Sequence, residues 1–471
     1  MKKNLSLQTA YQVLTTILPL ITAPYLARVL GAEQLGVFSF TSSIVSYFTL
    51  IAMLGTVNYG TRSIAAVKEN RQKRSEIFAG IFILQVVLTL FSLMAYIVYL
   101  IFICKDNVII SIIQGIAILS CFLDINWLYF GIEDFRLTVT RSIAIRIITV
   151  AAILLFVNTS NDLWLYTLIM LGGTFISQVV LWLRIHKIID FVKPSRESVM
   201  MHIKPNIVLF IPLLAMSVYH AMDKTMLGAL STYEQSGFYY NADKVVNIPL
   251  CILTGVGTVM LPRMTALFNG GKRKEADDLF LMSLDAISFL GFAMCFGIAA
   301  IAYEFIPFFF GNGYDECIRL TIVLSVVIII KGVSNTVRTQ YLVPLEHEKV
   351  FTFSVLAGAL VNLVVNFALI PRFGALGAVI GTVIAEAVAC IWQLFFLKDK
   401  FILARFYIDS VIYGIFGMGM FFLIRIIARL PLTVFVKILA EIIIGGSLYI
   451  IVTLIYWKIT NNKLIASIIK R

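Results

Sequence analysis

The sequence predicts an all-α polytopic membrane protein of about fourteen transmembrane helices: two parallel six-helix repeats, then two accessory helices, both termini cytoplasmic. Three observations predict it. The chain is 60% hydrophobic and only 14% charged, with a mean hydropathy of +0.94. Apolar runs of about twenty residues, each long enough to cross a hydrocarbon core of about 30 Å as a helix, recur from end to end. Basic residues alternate between the connecting segments, and one pattern of residues occurs twice.

The first span falls near 8–29, because its apolar run carries Pro19 and Pro24 and no small-residue cleavage site, unlike a signal peptide. Spans two to six follow near 35–59, 77–103, 108–130, 142–157 and 163–183. Spans seven to twelve lie near 205–229, 242–262, 281–303, 318–341, 350–370 and 376–397, and the accessory pair near 406–427 and 433–457. The corresponding domains are an N-terminal lobe over 1–190, a second lobe over 191–400, and the two accessory helices with a basic tail over 401–471. Connecting segments are all short, so a soluble catalytic domain or large external loop has no room.

Lys and Arg number about 25 on the side holding both termini, against Lys105, Arg372 and Arg429 on the other, which places the termini in the cytoplasm by the positive-inside rule. Topogenic anchoring by these loops accounts for most of the net charge of +12. Divided among short loops, the charge offers no nucleic-acid platform. Six cysteines, scattered without CxxC spacing, read as small core residues rather than as disulfides or metal ligands. No GxSxG, Walker loop or HExxH occurs, so no catalytic residue, cofactor or metal site is called for.

The repeat is carried by two pairs of segments. Glu33-Gln34-Leu35-Gly36-Val37-Phe38 enters span two as Glu234-Gln235-Ser236-Gly237-Phe238-Tyr239 enters span eight. The cytoplasmic end of span two reads Arg62-Ser63-Ile64-Ala65-Ala66 and that of span eight Arg263-Met264-Thr265-Ala266-Leu267. An even number of spans per copy inserts both copies the same way, which gives lobes able to rock about an axis along the membrane normal. Pro24 and Pro19 in the first helix, and Pro205 and Pro212 in the seventh, are expected to kink their helices as gates.

Arg28, Arg146, Lys224, Lys244, Arg263, Arg319, Lys331, Arg338, Arg425 and Lys437 fall within or at the edges of spans. Each costs about 2.5–3.5 kcal/mol at a helix centre unless it snorkels, pairs or lines a wet cavity. Snorkelling suits Arg146, Arg263, Arg338 and Arg425, which are near helix ends; Lys331 is deeper. Arg28, Lys224 and Lys244 lie toward the outer side, and Arg62 and Arg263 at matching inner positions. These five predict a two-tiered cationic lining suited to phosphate or pyrophosphate. Among the acidic residues Asp124, Asp223, Asp243, Asp285 and Glu386, the first three are candidates for proton or sodium coupling, with Asp223 one turn from His220; charge balancing is the alternative reading. Asn362 and Asn366 read as interhelical hydrogen-bond glue.

Four stretches then carry a family pattern. They are Tyr25-Leu26-Ala27-Arg28-Val29-Leu30-Gly31 with Gly36 and Tyr59-Gly60-Thr61-Arg62; Asp124-Ile125-Asn126-Trp127-Leu128-Tyr129-Phe130-Gly131 onward to Phe135; Asp223-Lys224-Thr225-Met226-Leu227-Gly228 with Val259 to Met264; and Arg338-Thr339-Gln340-Tyr341-Leu342 followed by Asn366 to Gly377. In these the chain resembles the Wzx-type polysaccharide flippases of the multidrug/oligosaccharidyl-lipid/polysaccharide exporter superfamily. The resemblance implies a bacterial cytoplasmic membrane protein that moves an oligosaccharide repeat unit on an undecaprenyl-pyrophosphate carrier to the outer leaflet, for capsule or O-antigen-like polymers. It implies a cationic central cavity, which falls here on Arg28, Arg62, Lys224, Lys244 and Arg263, and cooperation with polysaccharide polymerase and export machinery. A cation-coupled multidrug antiporter of the same superfamily would present an acidic or aromatic cavity instead. A membrane polysaccharide polymerase would carry a large external loop or catalytic carboxylates.

Overall fold

The computed structural model describes the backbone from Lys2 to Thr460 except Ile402, and side chains from Ile21 onward except Phe135 and several positions between 208 and 220. Pro19, Pro212 and His220 lie outside the described side chains. The helices are α1 Lys2–Met53, α2 Thr56–Ala65, α3 Arg71–Phe102, α4 Val108–Gln114, α5 Ile116–Leu123, α6 Asn126–Gly131, α7 Phe135–Phe156, α8 Leu163–Trp182 and α9 Arg196–Met200. They continue as α10 Ile203–Leu230, α11 Tyr233–Asn269, α12 Arg273–Phe310, α13 Asp315–Leu324, α14 Val326–Val337, α15 Glu348–Phe373, α16 Ala375–Leu397, α17 Ala404–Ile427 and α18 Val434–Ile459. Among the described residues, 12 helical stretches are long and apolar enough to cross a membrane. Large apolar side chains such as Val87, Phe91, Met94, Val98 and Ile101 of α3 are exposed at helical spacing, the arrangement of a face turned to lipid.

The chain divides into two compact units, the first ending at Gly237 and the second beginning at Phe238. In the first, the expected loop between spans one and two shrinks to a single break at Gly31, whose φ of 78° is one that only glycine takes without strain. A second break at Gly55, with φ 84°, separates α1 from α2 and lets the Asn206 carbonyl of α10 approach to 3.2 Å of where a Cβ would stand. Tyr59 of α2 and His202, just before α10, share a hydrogen bond of 2.7 Å, and burial pushes the His202 imidazole pKa down. Pro205 stands in the first turn of α10, where its missing N–H has no intrahelical acceptor to lose, so it opens that helix and does not kink it. The sequence expectation of a kink there is thereby corrected.

The expected fourth span, 108–130, is not one helix but α4, α5 and α6 in succession. The break at Asp124 and Ile125 frees backbone groups that lipid cannot satisfy. Side chains from neighbouring helices satisfy them. Gln85 donates to the carbonyls of Cys121 at 2.6 Å and Asp124 at 3.0 Å, and Trp182 donates to that of Leu123 at 3.0 Å. Trp127, fully buried, donates to Gln85 Oε1 at 3.0 Å, and Gly60 of α2 leaves room for its ring: a Cβ there would stand 2.7 Å from it. Around it Ile64, Phe78, Ile81, Leu128, Tyr129, Leu181 and Ile185 form the core. Arg71 donates to both carboxylate oxygens of Asp190, at 2.9 and 2.7 Å, which clips the segment after α8 to the start of α3.

In the second unit α15 and α16 pack through small residues: a Cβ on Gly358 would stand 2.9 Å from the Ala385 carbonyl oxygen, and Gly381 lies against the Asn366 side chain. Asn366 donates to Asn362 Oδ1 at 3.1 Å along its own helix. The accessory helices α17 and α18 dock on α12. Tyr413 donates to Asp285 at 2.6 Å, Trp457 to the Tyr413 hydroxyl at 2.7 Å, and Tyr449 to the Phe289 carbonyl at 2.9 Å.

Candidate substrate-binding site

The candidate cations divide between the units, Arg28, Arg62 and Lys224 in the first and Lys244 and Arg263 in the second, and each unit is described by itself. Lys224 occupies α10 where that helix is closely packed on α1. Thr225, its neighbour, shares a 2.8 Å hydrogen bond with Ser43 and one of 3.3 Å with Tyr47, and Gly228 lies against the Phe40 ring. Lys224 is half-buried, and Asp223 beside it is buried at 4% exposure. Arg28 is exposed, three residues before the Gly31 break. Arg62 is exposed in the last turn of α2, where a cation also complements the helix C-terminus.

Lys244 of α11 is half-buried with its ammonium 3.9 Å from the Tyr240 ring centroid, a cation–π contact one turn back. Asp243 beside it accepts from Asn247 at 2.9 Å. Arg263 is exposed on the same helix. Thus Lys224 and Lys244 are at least partly withdrawn from the surface, whereas Arg28, Arg62 and Arg263 are open.

Asp124 is committed to the break it precedes, its Oδ1 accepting from the Asn126 backbone at 3.0 Å and side chain at 2.7 Å. Asn126 in turn meets Gln178 at 3.1 Å and accepts from Arg141 at 3.0 Å. Sequence reading overlooked Arg141, which is 8% exposed, because its position near the start of α7 resembles a loop charge.

Two cations assigned on sequence to depth or to snorkelling have acidic partners on other helices. Lys331 of α14 pairs with Glu386 of α16 at 3.0 Å. Arg425 of α17 pairs with Glu304 of α12 at 2.7 Å and donates to the Ala300 carbonyl at 3.1 Å, so pairing, not snorkelling, accommodates it. Arg338 hydrogen-bonds Asn335 at 2.9 Å and lies over the Phe351 ring.

Helical units with interhelical ion pairs and exposed apolar faces define a polytopic membrane protein. The fold is similar over 96% of this chain, and 100% of the other, to that of lipid II flippase MurJ in an inward closed conformation, with a TM-score of 0.77 at 14% identity. It is also similar, over 83% of this chain and 99% of the other, to an inward-facing multidrug resistance MATE family transporter of the MOP superfamily, with a TM-score of 0.59 at 13% identity. At those identities the likeness is one of fold.

Residues 1–268 match the family described as polysaccharide biosynthesis protein, and the chain belongs to it, as the resemblance to Wzx-type flippases anticipates. A "Putative O-antigen transporter" of Escherichia coli (strain K12) is 24% identical over 406 residues, covering 85% of this chain and 97% of that protein. The chain is a multi-pass protein of the bacterial inner membrane.

Proposed function

We propose that the protein is a flippase for lipid-linked oligosaccharides, taking undecaprenyl-pyrophosphate-linked repeat units from the cytoplasmic to the outer leaflet for surface polysaccharide assembly. The near full-length similarity to a protein named as an O-antigen transporter carries the reading. The half-buried lysines Lys224 and Lys244 supply its chemistry. A pyrophosphate brings charge that must be neutralised away from bulk water, and ammonium and guanidinium groups do this by charge-assisted hydrogen bonds.

In this reading Arg28, Lys224 and Lys244 receive the pyrophosphate in a cavity that opens alternately to each side as the lobes rock, and Arg62 and Arg263 attract it at the cytoplasmic entrance. Asp223 and Asp243, each adjacent to a binding lysine, are the favoured coupling carboxylates; Asp124 serves the α5–α6 break first. Polysaccharide polymerase and export machinery take the product onward.

The test is flipping of undecaprenyl-pyrophosphate oligosaccharide in proteoliposomes, comparing the intact chain with Lys224→Ala, Lys244→Ala and Arg28→Ala at equal incorporation. Loss in the lysine variants supports the cationic mechanism. Undiminished flipping in all three places the head group elsewhere, and drug efflux without flipping would make the protein an antiporter.

A further inference from the structure

In the second unit, α12, α17 and α18 bring together two carboxyl groups and one guanidinium where their apolar runs leave little room for charge. Gly445 of α18 lies against Ile424 of α17, with 2.6 Å from the position of a Cβ to Ile424 Cδ1. That close approach sets Glu441, one turn earlier on α18, toward the end of the oppositely running α17 that carries Arg425. Glu441 has zero exposure, and neither of its carboxyl oxygens has a hydrogen-bond partner among the described residues. The charged groups acting on it are Glu304 of α12, Arg425 of α17 and Lys437 of its own helix. Arg425 is engaged elsewhere: it pairs with Glu304 at 2.7 Å, donates to the Ala300 carbonyl and lies 4.3 Å from the Tyr303 ring centroid.

One guanidinium cannot neutralise two carboxylates. A carboxylate held away from water without a single hydrogen bond is not sustained as an ion, and neutralises instead. The Glu304–Arg425 side of the cluster is more open, with side-chain exposures of 14% and 29%.

We propose that Glu441 and the Glu304–Arg425 pair form a proton-binding site in the second unit, with Glu441 as the group that carries the proton. With the proton bound, the three groups sum to zero: ionised Glu304, cationic Arg425 and neutral Glu441. Release of one proton to water from the Glu441 carboxyl leaves a net single negative charge, and Arg425 then shifts toward Glu441 while Lys437, one turn away on α18, compensates. The packing of α18 on α12 and α17 thereby responds to proton uptake. The site stands apart from the cations assigned to the substrate, and its test needs no substrate.

Dicyclohexylcarbodiimide modifies protonated carboxyls in apolar surroundings, and labelling of the full chain in proteoliposomes, mapped by mass spectrometry, reads the site directly. Glu441 is expected to be labelled, with labelling falling as pH rises. In Glu304→Gln, Arg425 is released to pair with Glu441, and labelling at neutral pH is expected to fall about tenfold, the factor that one pKa unit gives. Absence of Glu441 labelling at every pH, labelling indifferent to pH in the unaltered chain, or equal labelling in a folded Glu304→Gln variant would each overturn the proposal.

Discussion

The Lys331–Glu386 pair joins α14 to α16 at 3.0 Å, with side-chain exposures of 25% and 10%. Breaking a buried pair from one side costs about 3–5 kcal/mol because a charge is left in an apolar interior, whereas replacing both partners by apolar residues of similar volume is often neutral. A quarter of the Lys331 side chain reaches the surface, so the lower end applies. Lys331→Met is expected to destabilise the protein by about 3 kcal/mol, as is Glu386→Leu, and the double variant by about 1 kcal/mol or less. At about 2–4 °C per kcal/mol, each single change lowers Tm by about 6–12 °C in detergent micelles, and the second substitution restores most of the loss. Single effects below about 1 kcal/mol, or a double variant equal to the sum of the singles, would refute the argument that these charges stabilise each other.

Gly36→Ala and Gly237→Ala should each reduce stability by about 3 kcal/mol or more, since a Cβ on Gly36 overlaps the Tyr233 carbonyl and one on Gly237 that of Ala32; thermal unfolding measures it. Trp127→Ala empties a fully buried site and breaks a bond to Gln85, with an expected loss of about 3–5 kcal/mol in the same assay. Arg71 beside Asp190 holds that carboxyl below the usual carboxylate range, so the clip contributes above the ordinary carboxylate pKa and is lost as pH falls through the lower folded value. Protection of the 184–195 amides, taken relative to the intrinsic exchange rate at each pH, should therefore fall on acidification, and Asp190→Asn should lower it at neutral pH and remove that acid dependence.

The helices were legible because lipid imposes a minimum apolar length on every span. The repeat was legible for a second reason that appears only in three dimensions. Gly36 and Gly237, aligned by their Glu-Gln-x-Gly contexts, lie beside one another: the position of a Cβ on Gly36 is 2.9 Å from the Gly237 backbone nitrogen. Each glycine admits the backbone of the other segment, so the same steric demand fixes the same residue in both copies. The break after Asp124 was not legible, because the groups that satisfy it, Gln85 and Trp182, come from α3 and α8.

The same distinction governs the charges. Depth follows from position along a span, and it selected Lys224, Lys244 and Lys331, each partly withdrawn from the surface, but also Arg28, which is exposed. Partnership depends on which helices are neighbours and on the direction in which each side chain leaves its axis, neither of which span order supplies. Arg425 looked like a snorkelling end residue until α12 brought Glu304 to it. Glu441, the only acidic residue of α18, was passed over although a carboxyl alone in such an apolar helix is itself a signal. A buried charge with a partner stabilises a joint between helices. One without a partner must neutralise, and a group that neutralises by binding a proton lets pH act on the helices around it.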